Sequence, residues 1–340
     1  MLEILKKHDL APYLTMKVGA KAEYFAVLKN KAEFFEAFAF AKKKSLPIFI
    51  LGGGSNTVIV KNIKALVLKN EIKGLKIKKE NSREVYLEVM SGESWMKLVN
   101  YSVSQGFYGL ENLASIYGTV GAAPIQNIGA YGAEFSQVFD SLVAYDLKTG
   151  KEKIFNAKEC ELGYRDSIFK RKAKGKYFIY SLILKLKKKA KLNLGYGAIK
   201  EEMKNLGIKN PKPKDVAKIV HQIRSSKLPL PATLPNAGSF FKNPEIKNNA
   251  FLKLQKAYPE IPFFASAKKG MIKVPAGWLI EKIGFKGKKF GSVGMYEGQA
   301  LILVNYGGAK AEDITKMIER VKKAVKKSFA IDLEAEVNII

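Results

Sequence analysis

A run of three glycines sits between two strand-like segments, and that ordering narrows the fold. Residues 47–51 (PIFIL) read as a buried strand. Residues 58–60 (VIV) and 65–68 (ALVL) read as extended again, and Gly52, Gly53, Gly54, Ser55 and Asn56 form the join. A Rossmann loop would follow GxGxxG and open a helix, and this loop does neither. Successive glycines offer backbone N–H groups with no side chain in the way, and Ser55 and Asn56 add polar contacts. That is the make-up of a nest for a pyrophosphate. A tight turn alone would need fewer glycines. A second glycine-rich stretch, residues 115–132 (SIYGTVGAAPIQNIGAYG), has little periodicity. Its side chains are too small to build a core and too uncharged for a solvated linker. A packed loop, or main chain approaching a large ligand, accounts for it.

Periodicity supplies the surroundings. Phe34, Phe35, Phe38 and Ala41 fall at helical spacing within 31–44, and residues 94–105 predict a helix with Leu98, Val99 and Val103 inward. Strands are predicted at 84–90, 142–146 and 177–186. Residues 209–214 (KNPKPK) have the prolines and lysines of a solvated linker, and a helix follows over 215–224. Further elements are a helix near 276–283, a strand at 300–305 and an amphipathic helix over 312–328. Strict alternation over 331–339 predicts a strand with Asp332, Glu334, Glu336 and Asn338 on one face. At 340 residues the chain has room for about two or three domains.

Composition restricts the chemistry. With one cysteine (Cys160) and two histidines (His8, His221), the chain can form no internal disulfide, is too poor in ligands for a zinc site, and shows no nucleophile-elbow context for a Ser-His-Asp triad. No metal is expected. The net charge of +28 invites a nucleic-acid reading. Only five of the 59 basic residues are arginine, however, and specific readers of phosphate and guanine favour the arginine fork. The charge therefore reads as a lysine-biased proteome, with no specific nucleic acid as partner. No stretch approaches the ~20 apolar residues of a membrane helix, and the first ten residues lack a signal-peptide core. A soluble cytoplasmic protein with no membrane partner is expected.

Three further residues stand out. Arg165 lies in GYRDS (163–167), Ser239 in NAGSFF (236–241), and Glu336 on the terminal alternating segment. Singly, Arg165 fits a structural pair with Asp166, Ser239 a turn or cap, and Glu336 a solvated strand face.

Together these segments resemble the UDP-N-acetylenolpyruvoylglucosamine reductase (MurB) family. The resemblance rests on ILGGGSN at 50–56, PIQNIGAYG at 124–132, GYRDSIFK at 163–170, NAGSFFKNP at 236–244, PAGWLIEKIGFKG at 275–287, QALILVN at 299–305 and LEAEV at 333–337, in the family's order. Residues 192–202, with Tyr196-Gly197, look like the tyrosine loop of the longer, type I members. The resemblance implies an α+β fold: a two-subdomain FAD-binding region of the vanillyl-alcohol-oxidase (PCMH) type and a smaller α+β substrate-binding domain. Residues 1–68 would form the first FAD-binding subdomain and 69–208 the second. The substrate domain would be 209–330, with strand 331–340 returning to the active site.

The implied activity is that of an FAD-dependent oxidoreductase. NADPH would reduce the flavin, and hydride from flavin N5 would pass to the enolpyruvyl ether of UDP-N-acetylglucosamine, giving UDP-N-acetylmuramate for peptidoglycan and hence cell-wall growth, cell shape and division. A monomer is expected. Arg165 and Glu336 would face the substrate carboxylate, Glu336 as a donor only if burial and that carboxylate raise its pKa. Ser239 would give the proton. Gly52, Gly53, Gly54, Ser55, Asn56, Ser115, Thr119, Gly121, Asn127 and Gly129 would hold FAD. Tyr196, Lys227, Asn243 and Gln299 would hold the substrate. The chain departs from the family in having Ile116-Tyr117-Gly118 where Ile-Pro-Gly is usual, and Ala335 and Asn338 for the usual proline and arginine. These changes bear on cofactor affinity more than on activity. The rival readings are another flavoenzyme on the same scaffold, such as a sugar oxidase with covalently linked flavin, and a basic nucleic-acid-binding protein.

Overall fold

The computed structural model describes residues 1–266 and 268–340, which divide into two compact units. The first comprises residues 1–8, 21–53 and 63–225, and the second residues 9–20, 54–62 and 226–340.

In the first unit, strand Lys21–Leu28 leads into helix Lys31–Lys43 and then strand Ile48–Leu51. The helix starts where Asn30 Oδ1 accepts the Glu33 N–H at 3.0 Å, satisfying one of the otherwise orphaned first-turn donors. Its buried face is Phe34, Ala37 and Ala41, whereas Phe35 is exposed. Both strands pair in parallel with the central strand Ile63–Asn70, and Leu5–Asp9 completes a four-stranded sheet. Parallel pairing needs such a crossover helix. Phe34 packs on Tyr145 and Phe178, which belong to the five-stranded antiparallel sheet of the same unit. That sheet runs in the order Glu152–Asn156, Phe139–Asp146, Tyr177–Lys187, Glu84–Met90 and Leu75–Glu80. Helix Trp95–Ser104 covers it, capped by Ser94, with Leu98 and Val99 fully buried.

The second unit holds a four-stranded antiparallel sheet, Asn236–Ser239, Ile302–Asn305, Val293–Met295 and Lys289–Phe290. Helix Ala311–Phe329 buries Ile314, Ile318, Val321 and Val325 in the core of this unit. Asn305 is 3% exposed and ties two parts of the unit, donating to Met16 O at 3.0 Å and accepting the Gly307 N–H at 2.8 Å.

Two expectations meet a different outcome. The prolines at 209–214 do not mark the division, which falls after Ser225. Helix Pro213–Lys227 begins within the expected linker because proline is tolerated in a first helical turn, and it buries Val216, Ile219, Val220 and Ile223 within the first unit. Residues 331–339 keep the alternation in burial at Ile331, Leu333 and Val337, but they do not form one ladder. Among the described residues the pairing is an Ala335–Phe241 bridge and strand Asn338–Ile339, which joins Thr57–Val58 in parallel.

Candidate active site

The loop 52–56 does lead from strand to strand, Ile48–Leu51 to Thr57–Val58. Its carbonyls are tied back to protein. In the first unit the Lys69 ammonium donates to Gly52 O. In the second, Thr15 N and Thr15 Oγ1 donate to Gly54 O at 3.2 and 3.3 Å, while Asn338 N and Asn338 Nδ2 both donate to Asn56 O at 3.0 Å. A trans peptide points its C=O and N–H in opposite directions. The N–H groups that follow the first two of these carbonyls, those of Gly53 and Ser55, therefore point away from the tethers. Gly54 is left-handed at φ +66°, and a Cβ there would strike Tyr13 O. Each tether fixes bare main chain from behind, the donor chemistry that a phosphate group takes. Asn338 clamps the loop at Asn56.

The glycines also serve packing. A Cβ at Gly52 would lie 2.7 Å from Thr119 Oγ1, and one at Gly53 would lie 2.7 Å from Gly118 Cα. The two glycine-rich stretches thus meet within the first unit. Gly121 donates its N–H to Ser91 O at 2.8 Å. Asn127 is fully buried, and its side chain donates to Glu134 Oε2 at 2.8 Å and Gly163 O at 3.0 Å and accepts from Ser136 N at 2.9 Å. It fastens the turn at 127–129 to the loop that carries Arg165.

That loop is closed by reciprocal bonds between Gly163 and Asp166, N to O at 3.0 and 3.2 Å. Arg165 occupies its left-handed corner at φ +51°, a conformation that holds a non-glycine residue at about 1–3 kcal/mol of strain. Asp166 pairs with Arg171 Nε at 2.8 Å. Arg165 Nη2 donates to Gly129 O at 2.7 Å. A Cβ at Gly129 would lie 3.1 Å from Arg165 Nη1, so this glycine leaves room for the guanidinium.

A second arginine lies beside it. Arg224 Nε donates to Ser115 O at 3.2 Å, and Ser115 Oγ sits 2.8 Å from His221 Nδ1. Burial lowers the Arg224 pKa from its ordinary value, the Arg165 charge adds to this, and Tyr131 and Tyr117 oppose it. Burial likewise pushes the Tyr131 phenol up, against the pull of Arg224. Two guanidiniums held among tyrosines make a receptor for an anion. Arg224 escaped the sequence reading. Its rarity among so many lysines was the available signal.

In the second unit Ser239 ends strand Asn236–Ser239, exposed, between Gly238 at φ +73° and the buried Phe240 and Phe241. Glu336 N donates to Phe240 O at 2.9 Å and Lys242 N to Glu334 O at 2.9 Å, so the 334–336 segment runs alongside the serine strand. The structure thus sets the Glu336 main chain opposite Phe240, one residue along from Ser239.

Of the proposed substrate contacts, Tyr196 belongs to the first unit, at the start of helix Gly197–Asn205. The other three belong to the second. Lys227 ends helix Pro213–Lys227. Asn243 Oδ1 accepts the Ala276 N–H at 3.0 Å, and Gln299 Oε1 lies 2.9 Å from where a Gly277 Cβ would stand, so both meet helix Ala276–Lys282.

Cys160 is buried, and burial pushes its thiol up to about 12. It is no thiolate at neutral pH. Ellman's reagent should titrate no thiol in the native protein and one after denaturation. Rapid native labelling would contradict the packing around it. Among the described residues no group of three His, Cys, Asp or Glu side chains could hold a metal ion, and no helix is long and apolar enough to cross a membrane.

Residues 229–340 match the C-terminal domain of UDP-N-acetylenolpyruvoylglucosamine reductase, and residues 22–158 match an FAD binding domain. The chain is 43% identical over 340 residues to the UDP-N-acetylenolpyruvoylglucosamine reductase of Flavobacterium johnsoniae, covering 100% of both. It is 40% identical over 338 residues to that of Pseudomonas aeruginosa, covering 99% of both. Its fold is similar to the crystal structure of the reductase from Thermus caldophilus, with a TM-score of 0.69 at 22% identity, covering 100% of this chain and 98% of that one.

Proposed function

Since the chain belongs to the UDP-N-acetylenolpyruvoylglucosamine reductase family and is an FAD-dependent oxidoreductase, we propose that it reduces UDP-N-acetylglucosamine enolpyruvate to UDP-N-acetylmuramate at the expense of NADPH. On this reading it serves peptidoglycan precursor synthesis in the bacterial cytoplasm, as a monomer. The observation that carries the residue assignment is the Glu336 N to Phe240 O bond, which sets a carboxyl-bearing segment beside Ser239.

Bound FAD, reduced by NADPH, supplies the hydride. Residues 52–56 and the turns at 115–129 hold it, and the protein's own side chains manage charge and proton. Addition of hydride to the terminal alkene carbon leaves carbanion character beside a carboxylate, delocalised over its two oxygens. Arg165 stabilises that charge, already aimed by its bond to Gly129 O. In a dry site such a donor is worth about 10²–10³ in rate. Glu336 makes the second contact to the carboxylate. Ser239 transfers its hydroxyl proton to the carbon beside the carboxylate, completing the saturated lactyl ether, and its exposed position lets water restore the proton. Tyr196, Lys227, Asn243 and Gln299 position the nucleotide-sugar.

The test is a half-reaction assay. The purified protein should be yellow, be bleached by NADPH, and recover its colour on addition of the enolpyruvyl sugar without oxygen. Failure of the sugar to reoxidise the flavin would overturn the reading.

A further inference from the structure

Tyr196 sits on a loop, residues 192–196, that has no ladder of its own, yet two asparagines fasten that loop to the turn at 129–132. Asn112 is 2% exposed, and its Nδ2 donates both to Tyr131 O and to Asn193 O, each at 2.9 Å. A buried amide thus bridges the two segments, and leaving those carbonyls without a donor would be expensive. Asn193 adds a second tie from the loop side. Its Nδ2 donates to Gly132 O at 2.7 Å, and its Oδ1 accepts the Gly195 N–H at 3.3 Å, just before the tyrosine. A Cβ at Gly132, at φ +79°, would come within 3.1 Å of Asn193 Nδ2, so the turn is shaped for this contact. The Tyr131 and Tyr196 rings then meet edge to face at 5.0 Å. Tyr131 is the phenol paired with Arg224, so the latch joins the tyrosine loop to the cationic cluster.

We infer that Asn193, backed by Asn112, is a positioning residue: its side-chain amide holds the Tyr196 loop against the turn at 131–132 and so presets Tyr196 for the anionic nucleotide-sugar. The inference rests on the reading of Tyr196 as a substrate contact. Asn193 is exposed, so its replacement leaves the core untouched. Asn112 is buried, and its own variants would confuse folding with function.

The experiment compares Asn193→Ala, Asn193→Asp and Tyr196→Ala in the full chain, reading KM for the enolpyruvyl sugar and kcat separately. Asn193→Ala should raise KM about five- to tenfold, the equivalent of a lost neutral hydrogen bond, with kcat within about twofold of the parent. Asn193→Asp has the same shape but presents an acceptor to Gly132 O, so it should fail to rescue. Tyr196→Ala should raise KM at least as far. If Tyr196→Ala raises KM and neither Asn193 variant does, the latch is wrong and the substrate reading of Tyr196 stands. If Asn193→Asp behaves as the parent while Asn193→Ala does not, shape rather than the donated bond is at work, and the inference fails. If Tyr196→Ala changes nothing, the reading beneath it falls as well.

Discussion

Ser239→Ala should leave reduction of the bound flavin by NADPH at its original rate and slow reoxidation by the enolpyruvyl sugar about 10²–10⁴-fold, the range for removal of a positioned general acid. Ser239 is exposed at the end of its strand, and its main-chain pairing with Ile302 does not involve the hydroxyl, so the fold should survive the change. A serine is a feeble acid in water, and it serves here because a carbanion-like centre is a strong base within hydrogen-bond reach. Ser239→Cys keeps a proton on a more acidic atom and should recover part of the rate. Stopped-flow traces of the two half-reactions separate the outcomes. If both fall together, the serine is not the proton source.

Arg165→Lys should cost about 10²–10³ in the sugar half-reaction while flavin content stays at the parent level. Arg165 Nη2 donates to Gly129 O from a planar fork with several donors in fixed geometry. An ammonium is a point charge and cannot hold the carbonyl and face a carboxylate in the same geometry. The loss should stop short of total because Arg224 remains nearby as a second cation. Near-parent turnover in Arg165→Lys, measured at saturating substrate, would remove the guanidinium from the mechanism.

The sequence made most elements legible because apolar spacing records which face is buried. Ile314, Ile318, Val321 and Val325 mark helix Ala311–Phe329, and all four are buried. Spacing alone did not separate Phe34, which is buried, from its neighbour Phe35, which is exposed. The terminal alternation likewise identified buried positions but not where pairing stops, since hydrogen-bond partners come from distant chain. The polar framework was least legible. Asn112, Asn127 and Asn193 act on main-chain carbonyls brought near by tertiary folding, and no local pattern announces such a bond. Gly121 was legible as part of a glycine-rich stretch, but its close approach to Ser91, 2.6 Å from where a Cβ would stand, was not.

The pairing of Thr57–Val58 with Asn338–Ile339 has a consequence for how this polypeptide is made. The clamp on Asn56 O comes from a residue 282 positions downstream. During synthesis the glycine loop therefore emerges long before its clasp is translated. Contacts of such high sequence separation belong to slow, late folding, because the entropy of closing the intervening chain is lost before the contact compensates it. The second unit, stitched from residues 9–20, 54–62 and 226–340, must gather its early pieces from a nascent chain whose intervening segments have already begun to collapse.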